Sequence, residues 1–133
     1  MKKITILFLA LFLMVTFADA GTWIVKPATL VFNDCPTQLT VVRYGLNYIT
    51  SGENNGKAAV YVTVSAKSAV LLGCAYFKVF GPSGTLIYKA KKRISVLEGN
   101  EEHVFAYVPS EDIVGIDIRA DIGVGCDCNK PGF

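Results

Sequence analysis

Hydrophobic and polar residues alternate with a period of two over most of the chain. Between positions 57 and 66, Val60, Val62, Val64 and Ala66 share one parity, and Tyr61, Thr63 and Ser65 share the other. Successive side chains of a strand point to opposite faces of a sheet, so this segment reads as a half-buried β-strand. The same signal predicts a strand over 69–81, with Ala75, Phe77 and Val79 opposed to Cys74, Tyr76 and Lys78. Further strands are predicted over 85–94, 102–108 and 112–122. In the last, Val114, Ile116, Ile118, Ala120 and Ile122 alternate with Gly115, Asp117, Arg119 and Asp121. Upstream, 38–50 is one long strand. Segments 22–25 and 29–33 flank Lys26-Pro27, where proline, lacking an N–H for the ladder, predicts an edge position or a kink. Asn55-Gly56, Gly81-Pro82-Ser83-Gly84 and Glu98-Gly99-Asn100 supply turns between these runs.

No stretch of the mature sequence carries the period of an amphipathic helix. Short strands punctuated by frequent turns predict an all-β fold, an antiparallel β-sandwich of about seven strands with an immunoglobulin-like layout. The N-terminus departs from this pattern. Lys2 and Lys3 precede an apolar run over 4–17 broken only by Thr5 and Thr16, and Ala18-Asp19-Ala20 places small residues at the −3 and −1 positions of a cleavage site. That is the layout of a secretory signal peptide over 1–20. It leaves a single domain over 21–133 with a cysteine-rich tail at 123–133. The expected location is secreted or extracytoplasmic, either extracellular or periplasmic. No mature apolar run approaches the ~20 residues that span a bilayer, so no transmembrane span is expected there. Without Lys2, Lys3 and Asp19, the thirteen basic and eleven acidic residues fall to eleven and ten. A near-neutral domain offers no bulk charge for nucleic acid.

Residues 58–108 carry a family resemblance. The strand Val60-Tyr61-Val62-Thr63-Val64 is followed by Ala75-Tyr76-Phe77-Lys78-Val79-Phe80, the turn Gly81-Pro82-Ser83-Gly84-Thr85-Leu86, and Leu97-Glu98-Gly99-Asn100 before Val104-Phe105. This order resembles the core of bacterial secreted immunoglobulin-like modules of the CARDB and FxLYD kind, whose Leu-x-Pro-Gly turn here lacks its proline. The resemblance implies a β-sandwich with an extracytoplasmic recognition or spacer role. It implies no catalytic residue.

Four cysteines, Cys35, Cys74, Cys126 and Cys128, read as disulfides in an oxidising compartment. A direct Cys126–Cys128 bridge would close a very small, strained ring. Two long-range bridges are expected instead, each tail cysteine taking one of Cys35 and Cys74. Cys126-x-Cys128 does not have the Cys-x2–4-Cys spacing usual in zinc sites, and Asp127 between the two works against a lowered thiol pKa. No metal site and no cofactor are expected. His103, the single histidine, follows Glu101 and Glu102 and reads as solvated beside a turn. Asp117, Arg119 and Asp121 share one parity and read as a solvent face, with the arginine neutralising its neighbours.

Lys89, Lys91 and Arg93 form a cationic stripe at period two. Such a stripe guards an edge strand against aggregation, or offers a face to an acidic partner. Tyr61 and Tyr76 fall on the outward parity of consecutive strands, where they predict an aromatic patch. Trp23 reads as a plug at the edge of the core, with a partner anchor as the alternative. Together, Tyr61, Tyr76, Lys89, Lys91 and Arg93 are the expected binding face of a secreted, non-enzymatic recognition or structural module with a protein or glycan partner. Two alternatives stand beside it. In one, 21–32 adds as a strand to a neighbouring molecule in an extracellular assembly. In the other, the protein is a secreted enzyme or redox protein using His103 or the Cys126/Cys128 pair.

Overall fold

A computed structural model describes residues 22–133. The predicted signal segment, 1–20, lies outside the described residues. Eight strands form: β1 (Trp23–Lys26), β2 (Ala28–Asn33), β3 (Leu39–Ile49), β4 (Ala58–Ala66), β5 (Val70–Phe80), β6 (Leu86–Val96), β7 (Glu101–Val108) and β8 (Arg119–Gly125). A single 3-10 turn, Ser110–Asp112, lies between β7 and β8. The strands make two four-stranded sheets, a front sheet in the order β1-β3-β4-β7 and a back sheet in the order β2-β8-β5-β6. Among the described residues no helix is long and apolar enough to cross a membrane.

The alternation seen in the sequence builds the interior. Val60, Val62 and Val64 of β4 face Ala75, Phe77 and Val79 of β5 and Ala120, Ile122 and Val124 of β8 in one buried cluster. Two inward faces of mostly β-branched residues, each backed by a hydrogen-bonded ladder, are the arrangement that buries most apolar surface for strands of this length.

Three details differ from the sequence reading. Among the described residues the strands number eight where about seven are expected, and the pairing is not wholly antiparallel, because β2 runs parallel to β8. The parallel pairing starts at Pro27. The chain leaves the front sheet after β1 and enters the back sheet at β2, with Pro27 at the crossing, where its carbonyl accepts the Ala120 N–H at 3.1 Å. Finally, the strand expected over 112–122 forms only from Arg119. Its first partner is Phe80, the last residue of β5, beyond which the chain turns away at Gly81. Residues 113–118 therefore meet no partner strand, Gly115 adopts a φ of 80°, and Val114, expected in the core, is 71% exposed.

The C-terminal tail closes the outer face of the back sheet. The cysteines pair as Cys35–Cys126 and Cys74–Cys128, with Cα atoms 5.1 Å apart in each. Cys74 points outward from β5 and thereby draws the tail across that face. Beneath the tail, the Tyr76 hydroxyl donates to the Asp127 carbonyl at 2.9 Å and accepts the Lys130 N–H at 3.1 Å. Phe32, Tyr76 and Phe133 pack with ring centroids 5.2–5.8 Å apart, a spacing that favours edge-to-face aromatic contact. Phe32 lies directly over Gly123, its cross-strand partner, and a methyl there would run into the ring. The Lys130 ammonium sits 3.0 Å from Asp34 and 4.5 Å from the Phe32 centroid.

Replacing both Cys74 and Cys128 with serine opens a bridge that spans 54 residues. The expected cost is about 2–4 kcal/mol of unfolding free energy, measured by urea denaturation, together with increased solvent access to Tyr76. An unchanged midpoint would show that the tail is held without its bridge.

Candidate functional site

Among the described residues the outer face of the front sheet is uncovered, and cross-strand register decides what it displays. Three rows run across it. Val25, Asn47, Ala59 and Tyr107 form one, and Gly45, Tyr61 and Phe105 the next. Arg43, Thr63 and His103 form the third. Trp23, opposite Ile49 on β1, stands beside the first row.

Small residues sit in the middle of this face and large rings around them. A methyl at Gly45 would lie 2.7–2.9 Å from the ring and hydroxyl of Tyr61, so the absence of a side chain there lets that ring lie close against the sheet. The same device, an aromatic covering a cross-strand glycine, occurs on the back sheet at Phe32 and Gly123. Phe105 and Tyr107, two residues apart on β7, meet at 5.6 Å in an edge arrangement. Trp23 and Phe105 are each 53% exposed. The result is a cleft of about 480 Å³ with Ala59 in its floor, aromatic rings at its sides and Asn47, Arg43 and His103 as polar members.

Several of these polar groups are already engaged. The Thr63 hydroxyl, fully buried, lies 2.6 Å from His103 Nδ1. Arg43 approaches Glu101 at 3.9 Å, an exposed pair of little energetic weight. The Thr63 hydroxyl beside His103 faces no solvent. No group of three or more His, Cys, Asp or Glu side chains is placed to hold a metal among the described residues. Cys126 and Cys128 are both in disulfides.

The residues singled out from the sequence do not share one face. Tyr61 belongs to the front sheet. Tyr76, Lys89, Lys91 and Arg93 belong to the outer side of the back sheet, where Lys91 is the cross-strand partner of Tyr76 and Arg93 that of Cys74. The expected Tyr61–Tyr76 patch is thus corrected. Strands β4 and β5 are consecutive but lie in opposite sheets. Tyr76 has the outward parity expected of it, yet is only 1% exposed because the tail covers it. The Lys89, Lys91 and Arg93 stripe lies exposed on β6, an edge strand, where lysines discourage edge-to-edge pairing. Trp23, expected to plug the core, stands at the open cleft. Asp121 lies 3.3 Å from Arg119, whose guanidinium stacks 4.3 Å from the Phe80 centroid. Phe105 and Tyr107 carry the cleft but were not singled out from the sequence. Their shared parity, opposite Val104, Ala106 and Val108, is the signal that marks them as outward aromatics.

No protein-family model matches the chain, and no curated protein sequence matches it.

The close approach of Tyr61 to Gly45 gives a direct test. Gly45→Ala is expected to displace the ring, lower stability by about 1–3 kcal/mol through overpacking and reshape the cleft. Denaturant unfolding with a crystal structure of the variant measures both. Unchanged stability with Tyr61 in place would contradict this packing.

Proposed function

We propose that this chain is a secreted, non-enzymatic recognition module, an immunoglobulin-like β-sandwich that engages a protein or glycan partner through the outer face of its front sheet. One observation carries the reading: four aromatic side chains, Trp23, Tyr61, Phe105 and Tyr107, converge on one open cleft, and three of them are more than 40% exposed. Exposed aromatics gathered in a concavity mark binding surfaces, because each brings a large apolar area at small conformational cost. The predicted signal segment over 1–20 and two long-range disulfides both favour an oxidising, extracytoplasmic setting. The resemblance of 58–108 to secreted immunoglobulin-like modules supports the same role.

The alternative assembly reading uses 21–32 as a donated strand. Within this segment, β1 is hydrogen-bonded to β3, and β2 to β8, so these backbone groups are engaged inside the molecule. That weighs against donation. The enzyme and redox reading is disfavoured by the sealed Thr63 hydroxyl beside His103 and by the bridged state of Cys126 and Cys128.

Two variants of the purified mature protein test the binding face, each compared with wild type for retention on the outer surface of the cells that produce it. Phe105→Ala with Tyr107→Ala is expected to fold normally and lose retention about tenfold or more. Lys89→Ala with Lys91→Ala is expected to keep it. Equal retention of wild type and both variants would overturn the assignment. N-terminal sequencing of the exported protein is expected to begin at Gly21, and a cytoplasmic protein retaining residues 1–20 would contradict secretion.

A further inference from the structure

We infer that the occupant of the front-sheet cleft is a neutral carbohydrate, an inference that rests on the recognition reading above and narrows it to one ligand chemistry. The carrying observation is Asn47. It lies on β3, more than nine-tenths buried at 9% exposure, and lines the cleft. Its side-chain amide makes no hydrogen bond to another described residue. No side-chain polar atom among the described residues is both sealed from solvent and unpartnered, so this amide meets solvent through the cleft. The amide is hydrated only through the cleft, where a ligand would sit.

The chemistry of the surroundings selects the ligand. An amide presents one acceptor and a two-proton donor side by side. Adjacent sugar hydroxyls, each both donor and acceptor, match that pair. Pyranose rings carry flat patches of C–H groups that stack on aromatic faces, and Tyr61, Phe105 and Tyr107 line the same cleft as Asn47. The volume of about 480 Å³ lies within the ~300–1,000 Å³ common for small-ligand sites. The unpartnered polar group, Asn47, is uncharged, which fits a neutral sugar; the neighbouring cations are already placed, Arg43 at 3.9 Å from Glu101 and Lys57 at 6.0 Å from the Tyr107 centroid. A peptide is the weaker fit. Strand addition needs a free backbone edge; those edges lie at β1 and β7, the margins of the front sheet, whereas Asn47 stands on the inner strand β3, whose ladder is taken up on both sides. Around Asn47 the sheet offers side chains alone, and a sugar requires nothing else.

Trp23 is the only tryptophan in the chain, so its fluorescence reports on this cleft alone. The mature protein is titrated with neutral hexasaccharides of β-linked glucose, α-linked glucose, mannose and N-acetylglucosamine. At least one is expected to give a saturable change. Asn47→Ala and Tyr107→Ala are each expected to weaken it about tenfold or more, and Lys91→Ala to leave it unchanged. Folding of each variant is checked by near-ultraviolet circular dichroism. No saturable change with any of the four at millimolar concentration, or equal binding by folded Asn47→Ala, would overturn the inference. The cell-surface retention assay separates this failure from failure of the recognition reading. Retention that survives periodate oxidation of the surface and is lost after protease treatment would assign the face to a protein. Retention indifferent to Phe105 and Tyr107 would remove the face itself.

Discussion

The Tyr76 hydroxyl joins the body of the domain to its tail. It donates to Asp127 and accepts from Lys130, and the two disulfides fix the same short segment on either side of Asp127. A β-sandwich has two outer faces, and polar side chains ordinarily solvate both. Here the back face carries Phe32 and Tyr76, and the tail makes that tolerable by adding Phe133 and covering the rings. Removing this cover would leave an apolar surface with no function of its own, the kind that invites aggregation. Among the described residues the front sheet has no such cover, and Phe105 and Tyr107 are 53% and 42% exposed. The asymmetry between the two faces is therefore a consequence of where the cysteines stand.

Backbone sterics contribute a second constraint common to both sheets. Gly45 under Tyr61 and Gly123 under Phe32 are positions where an aromatic ring takes the volume that a side chain would fill. On the back sheet this brings Phe32 against Tyr76 and closes the face. On the front sheet it lowers Tyr61 toward the strand and helps to hollow the cleft between Trp23 and Phe105. One local device thus serves closure on one side and concavity on the other.

Much of the all-β architecture was legible from alternation, because the parity of β4 and β5 follows directly from which side chains can be buried. The partnering of strands was not legible. Period two says which face a residue takes within its own sheet, and it says nothing about which sheet the strand joins. Tyr61 and Tyr76 were accordingly set side by side, whereas the connection over 67–69 carries the chain from one sheet to the other. The burial of Tyr76 was equally hidden, since it depends on a tail whose position is set by cysteine pairing rather than by periodicity. Residues 113–118 alternate as well as any strand, but they have no neighbour to pair with. Asn47 became visible as a site residue only through its burial, which no local pattern reports.

The central claim is that one outer face is closed by the tail and the other is open. Hydroxyl-radical footprinting of the oxidised, mature domain, read by mass spectrometry, tests it most directly. The account predicts rapid modification of Trp23, Phe105 and Tyr107 with protection of Tyr76 and Phe32. Rapid modification of Tyr76 alongside protection of Phe105 and Tyr107 would contradict it.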